Sequence, residues 1–141
     1  MGNDRDYRLE MQIGHILRRA HQRASAIFKS HFSAHELTPT QFAALVKIAD
    51  AREVSQNLLG RLTAMDPATM KGVIGRLHGR ALIASNHDAK DRRRTLWRLT
   101  SAGERLLGVA IEAGLATSER TLAPLNPQER KTLRKLLSRL T

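Results

Sequence analysis

The stretch that decides the fold spans residues 55–100 and reads SQNLLGRLTAMDPATMKGVIGRLHGRALIASNHDAKDRRRTLWRLT. Its first half carries two helical patterns, a short one that follows Ser55 and a longer one over about residues 67–80. Its second half carries two short strand patterns, over residues 82–87 and 95–99, with a basic loop between them. Helix, helix and hairpin in this order are typical of a winged helix-turn-helix, which binds duplex DNA.

Prolines mark where two of the predicted helices begin. In Thr38-Pro39-Thr40-Gln41, glutamine follows threonine by three residues, which is the spacing of a capping box with proline at the first helical position. Asp66 precedes Pro67 in the same way, and its negative charge suits the positive end of a helix dipole. These signals predict helices over about residues 39–51 and 67–80. The buried face predicted for the later helix consists of Met70, Val73, Ile74 and Leu77.

Apolar residues at three- and four-residue steps predict helices on both flanks of this region. The first covers about residues 9–32, the fifth begins near residue 101 with either Thr100 or a Ser101 capping box at its start, and the last follows Asn126. The predicted fold class is therefore mainly α with a small β-hairpin wing. The two end helices carry one-sided apolar stripes, which favours association with each other or with a second copy of the chain.

The composition favours a polyanion as partner. The chain has 24 Lys plus Arg against 13 Asp plus Glu, for a formal charge of +11, and only 4% of its residues are aromatic. Double-stranded DNA fits this balance better than single strands, which stack on aromatic side chains.

The absence of cysteine excludes disulfides and thiol catalysis. No apolar run reaches the length of a membrane span, and no catalytic motif is present. We expect a cytoplasmic protein that is not an enzyme and needs no cofactor.

The sequence of the fourth predicted helix indicates base-edge contacts at its exposed start. The methyl groups of Ala68 and Thr69 suit thymine methyls, Lys71 reaches guanine or phosphate, and Arg76 suits a phosphate. Gly72, with Gly75, costs helix stability, which close approach of another backbone would offset. The predicted DNA-binding set on this helix is Pro67, Ala68, Thr69, Lys71, Gly72 and Arg76.

The loop between the strands supplies the second predicted DNA contact. Arg93 suits the narrow minor groove, where the negative potential is enhanced, and Arg92 and Arg94 suit the neighbouring phosphates. The alternative is an ordinary polar turn with solvated charges. Three consecutive arginines next to a recognition-helix pattern favour DNA binding.

The chain resembles the MarR family of bacterial transcription regulators. The matching segments are residues 59–77, the wing sequence DRRRTLWRLT over residues 91–100, which is similar to the family's D-x-R followed by a strand ending L-T, and Gly103. The resemblance implies a six-helix, dimeric winged helix-turn-helix, with Asp91 orienting the arginines around the wing-tip Arg93. Ala81 departs from the glycine that is usual before the first wing strand, and Gly72 from a position that is often polar.

The resemblance also implies a domain organisation. Residues 1–141 form one MarR-like domain, with a DNA-binding lobe over residues 39–100 and a helical dimerisation region over residues 7–35 and 101–141. A homodimer of this kind implies a pseudo-palindromic operator.

Residues 16–23 and 37–42 resemble family members that regulate aromatic-acid catabolism. This implies a repressor released by a small aromatic acid or its coenzyme A thioester, with His15, Arg19, His21 and Phe42 as candidate ligand contacts. The alternative is a winged-helix module that binds DNA or a protein without sensing a ligand. His21 shares a face with apolar residues, which predicts partial burial and also fits a core histidine.

A metal site is not predicted from the histidines. His31 and His35 have the spacing of a metal-binding pair, but no complete set of metal ligands accompanies them.

Overall fold

The computed structural model describes residues 6–141. Within that range the chain forms six α-helices and one antiparallel hairpin, so the predicted fold class is confirmed. The elements are α1 (Ile13–Phe32), α2 (Pro39–Ala51), α3 (Gln56–Leu62), α4 (Pro67–Gly79), β1 (Ile83–His87), β2 (Thr95–Leu99), α5 (Ser101–Leu122) and α6 (Pro127–Ser138). Short 3-10 turns, Leu9–Met11 and Ser33–His35, lie on either side of α1. None of the helices between residues 6 and 141 is long and apolar enough to cross a membrane.

The predicted helix starts are confirmed by their capping hydrogen bonds. Thr38 and Gln41 form both bonds of a capping box, each at 3.2 Å, before α2. Asp66 accepts the N–H of Thr69 at 2.8 Å before α4. At α5, Thr100 is the cap, since its hydroxyl accepts the N–H of Gly103 at 3.1 Å. Ser55 caps α3, and Asn126 with Glu129 forms a capping box before α6.

Element boundaries differ from the prediction at the end of α4. The N–H of Leu82 donates to Leu77 O, and the N–H of Ala81 donates to His78 O. Together with the left-handed φ of 56° at Ala81, these bonds form a Schellman ending. Leu82 therefore belongs to the turn, and β1 begins one residue later than predicted. At the other end of the chain, α1 begins at Ile13 because the extended backbone of Gln12 separates it from the preceding 3-10 turn.

The core lies between the helix-turn-helix, the root of the hairpin and α5. Leu45 and Ile48 of α2, Leu59 of α3, Leu77 of α4 and Ile83 of β1 are each at most 1% exposed. The hairpin pairs Ile83 with Leu99 at its root and His87 with Thr95 near its tip. Val54, which precedes α3, forms an antiparallel bridge with Trp97 and ties the hairpin to the helices.

Both flanking regions leave apolar side chains uncovered on the protomer. α6 contributes no buried residue, its Leu136 is 50% exposed, and Leu140, just after the helix, is 66% exposed. In α1, Ile13 is 61% exposed and lines a groove together with the α6 leucines. Residues 127–138 therefore pack little against the rest of the described chain.

Candidate nucleic-acid interface

The start of α4 is held by Asp66. One carboxylate oxygen accepts the main-chain N–H of Thr69, and the other accepts the Thr69 hydroxyl, both at 2.8 Å. These donors, the main-chain N–H first, lower the pKa of Asp66 below its ordinary value, so the carboxylate is charged at neutral pH. Because its hydroxyl is engaged, Thr69 presents its methyl group as the uncommitted part of the side chain.

The outer face of α4 is exposed along its whole length. Met70, Val73, Ile74 and Leu77 point into the core as predicted. All six residues predicted to contact DNA on this helix are exposed: Pro67, Ala68, Thr69, Lys71, Gly72 and Arg76. The helix therefore offers a mixed apolar and basic surface of the size that fits a major groove.

The glycines of α4 do not face another main-chain segment in the described part of the chain. A Cβ built on Gly72 would have as its nearest neighbour the Nη1 of Arg76 at 3.9 Å, and one on Gly75 would meet nothing within 4 Å. The predicted close approach is thus absent within residues 6–141. Both glycines instead leave open space on the exposed face of the helix.

The wing tip is a turn closed by aspartates. Asp91 Oδ1 accepts the N–H of Arg93 at 3.0 Å, and Asp91 O accepts the N–H of Arg94 at 2.9 Å. Asp88 Oδ1 accepts the N–H of Lys90 at 2.9 Å in the same manner. Arg93 projects from this turn with 95% of its side chain exposed. The geometry gives Asp91 the orienting position that the family resemblance implies.

Arg94 points back toward the helices. Its Nη2 donates to the Ser55 hydroxyl at 3.3 Å, and its Nη1 lies 3.9 Å from a carboxylate oxygen of Asp88. Ser55 is the cap of α3, so this arginine bridges the wing and the helix-turn-helix. The sequence indicated a phosphate contact for Arg94 but gave no sign of this bridge, which spans 39 residues of chain.

The sequence reasoning also missed a contact between the wing and α4, the recognition helix. The rings of His78 in α4 and Trp97 in β2 pack edge to face, with centroids 5.3 Å apart. Such pairs stabilise beyond the area that they bury. Together with the Val54–Trp97 bridge, this contact fixes the hairpin against α4, so the two predicted DNA contacts belong to one surface.

The candidate ligand contacts are not brought together in one protomer. His15 lies 3.0 Å from Arg18 through its Nδ1, and Arg19 is exposed. Phe42 packs instead against Phe28, with ring centroids 6.3 Å apart. Along a helix that rises 1.5 Å per residue, Phe28 lies about 20 Å beyond His15. His15 and Phe42 of one protomer therefore lie too far apart to contact the same small molecule.

The predicted partial burial of His21 is wrong for the protomer. The side chain is exposed, and its Nε2 lies 3.4 Å from the Ser25 hydroxyl. The apolar residues on its face of α1 are themselves exposed in this half of the helix, as Leu17 shows at 39%. Periodicity located the face correctly, but no element within residues 6–141 covers it.

The histidines at the end of α1 engage their own surroundings. His31 Nδ1 lies 2.9 Å from Ile27 O, and the His35 ring packs edge-on against Phe32 with centroids 6.1 Å apart. Within residues 6–141 no group of three or more metal-ligating side chains comes together.

Known proteins with similar sequence and structure include transcriptional regulators. The MarR family model matches residues 37–95. NicR of Pseudomonas putida, an HTH-type transcriptional repressor, is 37% identical over 134 residues, which are 95% of this chain and 85% of NicR. The crystal structure of a probable transcriptional regulator from Pseudomonas aeruginosa is 48% identical with a TM-score of 0.91, and the match covers 95% of this chain and 100% of that one.

A further solved relative is regulated by a ligand. BpsR of Bordetella bronchiseptica, whose DNA binding is regulated by 6-hydroxynicotinic acid, is 38% identical with a TM-score of 0.92 over 96% of this chain and 97% of its own. These similarities extend along nearly the whole chain and include the helix-turn-helix and the wing. The chain therefore belongs to the MarR family of transcriptional regulators.

Proposed function

We propose that this chain is a transcriptional repressor that binds a pseudo-palindromic operator as a homodimer and releases it when a small aromatic acid binds. The observation that carries the DNA-binding part is the shared surface of α4 and the wing. On it, Lys71, Arg76 and Arg93 are exposed, while Asp66 and Asp91 hold the two turns that present them. Exposed cations on anchored turns suit a polyanion whose shape is fixed.

The two parts of this surface have different tasks. The start of α4 selects sequence, because Ala68, Thr69 and Lys71 carry groups that distinguish base edges. The wing aligns the duplex, because Arg93 suits a narrow minor groove irrespective of most base identities. Arg76, farther along α4, holds phosphate.

The homodimer is supported by the uncovered apolar faces. Exposed apolar side chains occur on α1 at Ile13 and Ile16, on α6 at Leu136, and just after α6 at Leu140. Contiguous apolar surface of this kind marks a contact with another protein surface. A two-fold axis through these ends places two copies of α4 side by side, about one turn of DNA apart.

The effector is proposed from the relatives. BpsR responds to 6-hydroxynicotinic acid, a hydroxylated pyridine carboxylic acid, and resembles this chain over nearly its whole length. A ligand of this class needs an apolar wall for its ring and a cation for its carboxylate. Phe42 supplies the first, and Arg19 of a second copy supplies the second, since bidentate carboxylate binding favours arginine. A coenzyme A thioester of an aromatic acid is a variant of the same proposal.

The operator is tested by selection from random DNA duplexes with the wild-type protein. We expect enrichment of two inverted half-sites about 10 base pairs apart, bound by a dimer of twice the 15.8 kDa chain mass. Affinity should fall steeply with added salt because phosphate contacts release counterions. If no duplex is enriched, the DNA-binding proposal fails; a single half-site would contradict the dimer.

The effector is tested by thermal shift and by fluorescence anisotropy on the selected duplex. We expect 6-hydroxynicotinic acid, or a related aromatic acid or thioester, to raise the melting temperature and weaken DNA binding. Arg19→Ala should raise the effector Kd by about 10-fold or more, as expected for a lost charged hydrogen bond. Lys131→Ala, which removes the same charge from the exposed face of α6, is the control.

If no compound changes either measurement, the protein is a DNA-binding module without a small-molecule ligand. In that case the operator half of the proposal stands alone.

A further inference from the structure

The C-terminal end of α4 carries an arginine that reaches a distant corner of the chain. Arg80 is the last residue of the helix ending, and its Nη1 donates to Glu36 O at 2.8 Å. Its Nη2 donates to His35 O at 3.3 Å. One guanidinium thus joins the end of the recognition helix to the corner between α1 and α2, across more than forty residues of chain.

Both segments that Arg80 joins are sharply turned and anchored. Glu36 has a left-handed backbone with φ 52°, and Ala81, directly after the arginine, has φ 56°. Each is followed by a leucine that is 6% exposed, Leu37 in one segment and Leu82 in the other. The main chain that carries the two carbonyls and the main chain that carries Arg80 are therefore each anchored by a buried leucine.

The same end of α4 is also bound to the start of α5. The Thr100 hydroxyl donates to Ala81 O at 2.6 Å, and the Thr100 N–H donates to Leu82 O at 3.0 Å. Gly103 lies so close that a Cβ there would collide with Leu82 O. The far end of the recognition helix is thus held by the start of α5 as well as by the bonds of Arg80.

The corner continues into the aromatic cluster of the helical region. The His35 ring packs edge-on against Phe32, which stacks on Phe28 at a centroid distance of 3.9 Å. Phe32 also contacts Phe42, with centroids 4.8 Å apart. A displacement of α1 therefore moves the carbonyls to which Arg80 is bound.

We infer that Arg80 is a positioning residue that sets the angle of α4 against the α1–α2 corner, and through it the separation of the two recognition helices. The inference rests on the proposed operator-binding dimer. The helix is about 18 Å long from Pro67 to Gly79, so a tilt of about 10° at its end moves its start by about 3 Å. The two donors of the planar Arg80 guanidinium fix both the position and the direction of the helix end relative to the corner. A lysine ammonium does not fix the direction.

The test measures preference for half-site spacing. The selected operator is compared with two derivatives that have one base pair more or fewer between the half-sites, using wild type, Arg80→Ala, Arg80→Lys and Arg76→Ala at one salt concentration. Wild type should prefer its own spacing by about 10-fold, the scale of one altered base pair. Arg80→Ala and Arg80→Lys should both reduce the preference to about 3-fold or less, because the two-pronged contact is lost.

Arg76→Ala provides the matched comparison. It removes a charge from the same helix and should weaken binding to all three duplexes, while the ratio of the affinities for the selected operator and its spacing derivatives stays unchanged. If Arg80→Lys restores both affinity and ratio to the wild-type values, Arg80 acts on DNA through its charge and the inference is overturned.

If Arg80→Ala keeps the wild-type ratio of affinities for the three spacings, the inference is overturned as well. Should that variant fail to fold, Arg80→Lys decides alone. The absence of any selected duplex for the wild type would refute the operator proposal itself, and the positioning role with it. That outcome is seen before any variant is made.

Discussion

Asp91 holds Arg93 through two contacts made by one oxygen. Its Oδ1 accepts the main-chain N–H of Arg93 at 3.0 Å and lies 3.6 Å from the Nε of the same side chain. The aspartate side chain is 54% exposed and the arginine 95%. Exposed ion pairs contribute little to folding stability, so the consequence of this pair lies in orientation. The turn is closed, and the guanidinium extends away from the protein.

Arg93→Ala should weaken operator binding by about 10-fold or more, because the guanidinium contact in the minor groove is lost. Folding stability should change by less than about 0.5 kcal/mol, as for other exposed sites. Anisotropy at matched salt measures the first quantity and urea unfolding the second. Lys131→Ala, on the exposed face of α6, removes the same charge far from the wing and should leave affinity nearly unchanged. Equal affinities for Arg93→Ala and wild type would exclude the wing contact.

The role of Asp91 is separated from that of Arg93 by a double-mutant cycle. Asp91→Ala should weaken operator binding less than Arg93→Ala does. In the Arg93→Ala background it should add little, because the aspartate acts through the arginine that is already absent. Additive losses would show that Asp91 has an independent effect on the loop.

Ala81→Gly should stabilise the protein by about 0.5–1 kcal/mol. The left-handed backbone at this position, φ 56°, is costly for alanine and not for glycine, which outweighs the extra freedom of glycine in the unfolded chain. Urea unfolding at a fixed protein concentration measures the difference. Ala116→Gly is the opposite control, since it places the same substitution in the exposed interior of α5 and should destabilise by about 1 kcal/mol. Destabilisation by Ala81→Gly would contradict the turn geometry.

Gly103→Ala should destabilise the protein by about 2 kcal/mol or more, the upper part of the range for overpacking. The added methyl group collides with Leu82 O, a main-chain atom that already accepts the Thr100 N–H and has no freedom to move aside. Gly108→Ala lies in the same helix with nothing within 4 Å of the added group, and should stabilise by about 1 kcal/mol. Thermal unfolding of the two variants side by side provides the measurement. Equal stabilities would show that α5 shifts to make room.

The features that could be predicted from sequence are those determined by neighbouring residues. Thr38 with Gln41, and Asp66 with Thr69, form hydrogen bonds over three residues, so their spacing alone locates α2 and α4. The Asp91 turn is local in the same sense. The family resemblance then places Arg93, since position within a short motif is enough to identify the tip.

The remaining features depend on distant parts of the chain. Arg94 is one of three consecutive arginines, and only the folded hairpin brings it to Ser55, 39 residues away. The bond from Arg80 to Glu36 is equally invisible in the sequence. For His21 the periodicity identified an apolar face of α1, but exposure depends on which element covers that face, and none in the described part of the protomer does.

Gly72 and Gly75 should respond differently to alanine although both lie on the open face of α4. Each substitution should stabilise the free protein by about 1 kcal/mol, because helical glycine is unfavourable and neither added methyl group meets an obstacle in the protein. Gly72, one turn after Ala68, lies nearer the DNA-facing start, so Gly72→Ala should weaken operator binding by about 5-fold or more through contact with the duplex. Gly75→Ala should change affinity less. Tighter binding by Gly72→Ala would show that the glycine is no closer to DNA than the rest of the helix.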